Sequence, residues 1–142
     1  MIINARFDEI ELLEAWAESD PQIGPKFGAA ISAEDGSASS QVVYFTLEPG
    51  KTVGRHAHSA DETLLVLEGT LEVTMGNERR RLSAGEVALI PAGVAHDTPN
   101  VGPGTLRGVV FFPSAVVLHT WEVPLMPVGS RAFVTPPPGD GG

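Results

Sequence analysis

The chain contains no cysteine. Disulfide staples and thiolate metal sites are therefore excluded, and any bound metal must be held by imidazole, carboxylate or water. Basic residues are also scarce: nine Lys and Arg stand against 18 Asp and Glu, for a formal net charge of -9. That is the wrong sign for gripping a phosphate backbone by counterion release, so nucleic acid is not an expected partner. No apolar run reaches the length of a membrane helix. The opening residues, MIINARFDEIELLEAW, carry acids where a secretory leader needs a basic flank and an unbroken apolar stretch. A cytoplasmic protein with no membrane partner is expected.

What is present is turn-formers. Sixteen glycines and 12 prolines are spread along 142 residues without a period, a length that buries one core without staples. Runs rich in β-branched and aromatic residues, KFGAAIS, QVVYFTL, ETLLVLE, TLEVTMG, EVALI, TLRGVVFF and AVVLHTW, alternate with turn signals such as AEDGS, EPGK, LEGT, MGNE, SAGE and NVGPG. Many short strands at close spacing predict an all-β antiparallel sandwich or barrel. One short helix is predicted near the start. Asp8 would cap it with Glu11 as its box partner, and Ile10, Leu13, Trp16 and Ala17 recur at helical spacing. The expected organisation is one domain. Residues 1–40 form its helix and edge strand, 41–122 the barrel, and 123–142 a proline-broken segment that covers a sheet edge or meets a partner subunit, ending in a frayed Pro/Gly tail. Apolar segments near both ends predict a homodimer.

Only four histidines occur, and two of them, His56 and His58, are separated by one residue. On a strand, residues i and i+2 share a face, so both imidazoles can point to one side. Glu62 keeps the same parity if the SAD loop bends. Asp61 would replace it if that loop shifted by one, but the apolar alternation after Glu62 favours Glu62. His96 follows the Pro91–Gly93 turn and closes the set if its strand neighbours the first. His119 has no partner at ligand spacing and is read as an ordinary histidine whose loss leaves metal content unchanged.

These segments resemble the two signature motifs of the cupins. Gly50, His56, His58, Glu62 and Gly69 match the first, and Gly85, Pro91, Gly93, His96 and Asn100 match the second. The resemblance implies a double-stranded β-helix, or jelly-roll barrel, holding one divalent metal ion (Fe, Mn, Ni, Cu or Zn) on His56, His58, Glu62 and His96. Asn100 is read as a turn residue rather than a ligand. Three neutral imidazoles and one carboxylate leave an octahedral ion two open positions, enough for a chelating substrate or for a substrate oxygen beside dioxygen.

By alternation Phe45 or Tyr44, Leu64, Val66, Val94, Thr98 and Phe111 or Phe112 fall near the ligands. Their ordinary role is packing, and Phe45, Leu64, Val66, Thr98 and Phe111 are the candidates for a substrate pocket. Tyr44 and Arg107 are candidates for orienting an oxyanion. An apolar lining with a metal as its polar anchor suits a small enol, phenol or β-dicarbonyl better than a sugar. The expected function is a metal-dependent dioxygenase. Its alternatives are a non-redox lyase, cyclase or isomerase, and a non-catalytic ligand sensor. Protons compete with metal for the histidines, so the metal-bound form should weaken in mild acid while the metal-free form varies little.

Overall fold

The computed structural model describes residues 1–138, and those residues form antiparallel sheets with 3₁₀ turns at Phe7–Glu9 and Ala33–Asp35. In chain order the strands are β1 (Leu13–Glu14), β2 (Lys26–Ile31), β3 (Gln41–Leu47), β4 (His56–His58), β5 (Glu62–Glu68), β6 (Thr70–Met75), β7 (Glu78–Ser83), β8 (Val87–Ile90), β9 (Leu106–Phe112), β10 (Val117–Leu125) and β11 (Ser130–Thr135). One sheet runs β1-β2-β3-β9-β5-β8, a second β11-β10-β4, and β6 pairs with β7. Isolated bridges His56↔His96, Leu71↔Asn100 and Thr74↔Asp97 seat the segment after β8 between β4 and β6.

Period-two patterning explains the central strands. Along β5 the residues Glu62, Leu64 and Val66 are buried, and along β9 Leu106, Gly108, Val110 and Phe112 are buried. Together with Leu47, Leu71, Ile90 and Val117 these apolar side chains make the main core. Truncating a fully buried leucine such as Leu64 or Leu106 to alanine should cost about 2–5 kcal/mol. Two glycines are dictated by shape. Gly69 turns β5 into β6 at φ +88°, where a Cβ would also press on the Leu106 backbone at 3.2 Å. A Cβ on Gly108 would sit 2.6 Å from the Phe45 ring, so that glycine is what lets the ring lie against β9.

The predicted N-terminal helix is replaced by a single 3₁₀ turn, Phe7–Glu9, followed by extended chain. The reason is competition from the sheets. Leu13 and Glu14 pair with Phe27 and Lys26, the Ala15 amide donates to the Pro25 carbonyl, and Trp16 exchanges two backbone hydrogen bonds with Met126. Ala15 and Ala17 pack beside Trp121 and Leu125. A lone helix of two to three turns is marginal in water, and these partners win the competition. Asp8, read as the cap, instead hydrogen-bonds the Arg6 guanidinium. At the other end, VPLMPVGSRAFV closes β10 and forms β11 against it. The predicted tail begins at Thr135, which ends β11, and its last residues, 139–142, lie outside the described residues.

Candidate metal centre

His56 and His58 enter from β4, both buried, with Ala57 turned away between them. The following loop is pinned where Asp61 accepts a hydrogen bond from the Ala92 amide at 2.9 Å. That contact holds Asp61 on the exposed side and delivers Glu62, 5% exposed, to the inner face of β5. His96 faces His56 across a bridge in which each amide donates to the other carbonyl at 2.9 Å. One ring nitrogen from each of His56, His58 and His96 lies within 4.8 Å of the others. Glu62 Oε2 is 3.0 Å from His96 Nε2 and 3.7 Å from His58 Nε2.

The opposite edge of each ring is tied down. His56 Nδ1 meets the Gly54 carbonyl at 2.6 Å and His96 Nδ1 the Val94 carbonyl at 2.9 Å. A carbonyl only accepts, so both rings carry a proton on Nδ1, and in the neutral ring Nε2 is the nitrogen with the lone pair. The Gly54 carbonyl is itself steadied, because Asp97 accepts from the Gly54 amide at 3.0 Å and from the Thr98 amide at 2.7 Å. His58 Nδ1 instead meets His119 Nδ1 at 2.7 Å.

Among the described residues His58 Nε2, Glu62 Oε2 and His96 Nε2 are buried without an aligned hydrogen-bond partner. Buried polar atoms are rarely left so, since each costs about 1–3 kcal/mol. Ligands about 2.1 Å from a common ion lie roughly 3–4 Å apart, which is the scale of the separations here. Neutral imidazoles and a carboxylate therefore fit a divalent cation with nitrogen and oxygen preference.

Electrostatics point the same way. Burial, reinforced by the neighbouring His96 and His119, pushes the His56 pKa down to about 3 despite its bond to Gly54. Burial and the adjacent imidazoles hold His58 well below the usual histidine range. Burial alone takes His119 down to about 4. For His96 burial acts downward too, but the Glu62 carboxylate outweighs it and the pKa is raised.

The site opens into a cavity of about 1030 Å³ walled by Phe45, Leu64, Thr98, Phe112, Trp121 and Phe133. Trp121 stacks on the His56 ring at 4.5 Å and 11°, and Phe133 stacks on Trp121 at 5.4 Å. Of the predicted pocket residues, Phe45, Leu64 and Thr98 line this cavity. Val66 does not: it is fully buried in the core beyond Leu64. Phe111 is a correction. Because Val110 and Phe112 face inward on β9, Phe111 points out and is 40% exposed, and Phe112 occupies the cavity wall.

Tyr44 and Arg107 also stand apart from the site. Tyr44 stacks on Phe7 at 5.0 Å and accepts a 2.6 Å hydrogen bond from Arg107 Nε, while Arg107 reaches Glu68 at 3.5 Å. Asn100 is a turn residue: its amide donates to the Leu47 and Gly104 carbonyls and its oxygen accepts from the Gly102 amide. Val94 is 36% exposed and contributes its carbonyl rather than its side chain.

His119 is the residue that motif spacing misses. It is 5% exposed and lines the cavity. Its signal lay in the alternation Val117, His119, Trp121 along β10, all three buried. Its partner is supplied by register, His119↔His58, rather than by nearby sequence.

Comparison with known proteins agrees with this geometry. The family described as Cupin domain matches residues 43–112. An uncharacterized protein of Streptomyces coelicolor is 33% identical over 69 residues, 49% of this chain and 66% of that protein. Endoribonuclease YbeY of Myxococcus xanthus is 35% identical over 77 residues, 54% of this chain and 25% of that protein. The matches thus span less than two thirds of either curated relative. Among solved structures, the polyketide cyclase RemF from Streptomyces resistomycificus superposes with a TM-score of 0.65 at 20% identity, covering 80% of both chains. Oxalate decarboxylase of Bacillus subtilis, a protein with Mn(II) centres, gives a TM-score of 0.66 at 22% identity over 78% of this chain and 29% of its own. Identities this low speak for the shared fold alone.

Proposed function

We propose that this chain, a member of the cupin superfamily, is a metal-dependent enzyme of dioxygenase type acting on a small planar enol, phenol or β-dicarbonyl. The observation that carries the reading is the set of buried, unpartnered ring nitrogens and carboxylate oxygen at one end of an aromatic-walled cavity. His56, His58, Glu62 and His96 would hold one divalent ion. Such an ion, when bound, supplies Lewis-acid polarisation of a substrate oxygen and, in a redox-active form, electrons to dioxygen.

The chain's own residues supply the rest. Phe45, Phe112, Trp121 and Phe133 offer flat apolar surface to a planar ligand and keep water from the reacting end. Thr98 brings a hydroxyl to the cavity wall. Among the described residues lining the cavity, four depressed or carboxylate-paired histidines and no Lys or Arg leave no free cation, which disfavours phosphorylated ligands and favours a neutral or singly anionic one.

Oxygen uptake by Fe-, Mn-, Ni- and Cu-loaded protein, offered quercetin, β-diketones and catechols, tests the proposal. Uptake with a substrate of this class is expected, and none at full metal occupancy refutes it. A non-redox cyclase or lyase is the second reading. It is favoured by the likeness to a polyketide cyclase over 80% of both chains, and turnover that persists without dioxygen and with zinc would select it. A ligand that binds tightly and is recovered unchanged from every metal form would overturn both.

A further inference from the structure

His119 ends a hydrogen-bond chain whose direction is set at its far end. Gln41, 1% exposed, donates its amide nitrogen to the backbone carbonyls of Ala115, at 2.9 Å, and of Thr135. Carbonyls cannot donate, so the Gln41 amide has only one orientation and its oxygen must accept. Thr135 fills that role, its hydroxyl donating to Gln41 Oε1 at 2.9 Å. With its single proton spent there, Thr135 Oγ1 can only accept from His119 Nε2, 2.6 Å away. A neutral His119 protonated on Nε2 has a lone pair on Nδ1. The 2.7 Å contact to His58 Nδ1 then requires the proton on His58, and His58 Nε2 is left with its lone pair facing Glu62 and His96.

We propose that His119 is a positioning residue which, through the one-way chain Gln41–Thr135–His119–His58, fixes the tautomer of His58 that can bind a metal. The inference rests on the reading of His58 as a ligand. It departs from the expectation that His119 is dispensable for metal content. The chain crosses the molecule: Gln41 lies on β3 of the large sheet, while Thr135, His119 and His58 lie on the three strands of the smaller one. His56 and His96 obtain the same tautomer from carbonyls two residues away. His58 alone obtains it from a distant part of the sequence.

Two measurements test this. In the zinc-free wild type, ring-¹⁵N NMR at neutral pH should show His58 protonated on Nδ1 and His119 on Nε2; the opposite tautomer at either ring overturns the proposal without any mutation. Zinc and cobalt affinities, measured by competition with a chromophoric chelator, should then fall roughly 10- to 100-fold in Thr135→Val. That variant keeps the side-chain shape and removes the acceptor that orients His119. Thr135→Ser should restore both affinity and the Co(II) absorption envelope, which a purely steric role for Thr135 would not predict. Wild-type affinity in Thr135→Val with unchanged ring tautomers refutes the positioning role. Wild-type affinity in His58→Ala refutes instead the ligand assignment beneath it, and the NMR result still decides the direction of the chain.

Discussion

Acid should unfold the metal-free protein far more steeply than its carboxylates alone would. Burial depresses His56 to about 3 and His119 to about 4, and pushes His58 down as well. A depressed histidine contributes stability that is fully present above its unfolded value, near 6.5, and is lost as pH falls through the folded value. At about 1.4 kcal/mol per pH unit, a fall from 6.5 to about 3 is worth about 5 kcal/mol for His56, and from 6.5 to about 4 about 3 kcal/mol for His119. His96 has the opposite sign. Its pKa is raised beside Glu62, so its contribution is full below 6.5 and fades as pH rises through the folded value. Below 6.5 His96 is charged in both states and adds no slope, so the three depressed rings together approach about 4 kcal/mol per pH unit. Against a total of about 5–15 kcal/mol, a chain at the low end unfolds near pH 5.

Chelator-treated protein melted in urea at pH 7.5, 6 and 5 gives the assay. Midpoints should drop sharply between 6 and 5, and His56→Gln combined with His119→Gln should flatten the drop. Equal midpoints at pH 7.5 and 5, or an unchanged slope in the double variant, would refute the reasoning. This reverses the expectation from sequence that the metal-free form varies little, and the cause is the burial of the rings, which sequence does not display.

Other perturbations separate the site from its scaffold. Glu62→Ala or His96→Ala should lower metal content in purified protein by well over half, read by elemental analysis, whereas Tyr44→Phe should leave it unchanged because that phenol faces Phe7 and Arg107. Phe112→Ala should destabilise by about 3–5 kcal/mol in denaturant melts, while Phe111→Ala, exposed on the same strand, should stay within about 0.5 kcal/mol. Gly108→Ala should displace the Phe45 ring and lower the melting temperature by several degrees in calorimetry, and no change would contradict the close approach at that position.

Much of this arrangement was legible because it obeys short-range rules. The shared face of His56 and His58 follows from strand parity, and Glu62 was separable from Asp61 by the alternation of Leu64 and Val66 after it. His96 needed the motif as well, since only the motif says that its segment returns beside β4. The failures share another origin. Helical spacing at Ile10, Leu13 and Ala17 was real, but backbone partners at Phe27, Pro25 and Met126 lie far along the chain and decided the outcome. Phe111 and Phe112 differ by one step of register, and the one local signal between them was Arg107, whose parity places Phe111 on the outer face. His119 and Thr135 matter to His58 only through strand pairing, so their role is visible in the sheet and in no motif.

The stack of Trp121 on His56 gives the protein an optical property of its own. Of two tryptophans in the chain, Trp16 is 46% exposed and Trp121 is 5% exposed with its indole over a candidate ligand ring. A paramagnetic ion such as Cu(II) or Ni(II) arriving at that ring should quench the blue-shifted, buried component of the emission and spare the red-shifted one. Occupancy of the centre can therefore be followed in real time, without a dye or a substrate, by watching one half of an ordinary fluorescence spectrum disappear.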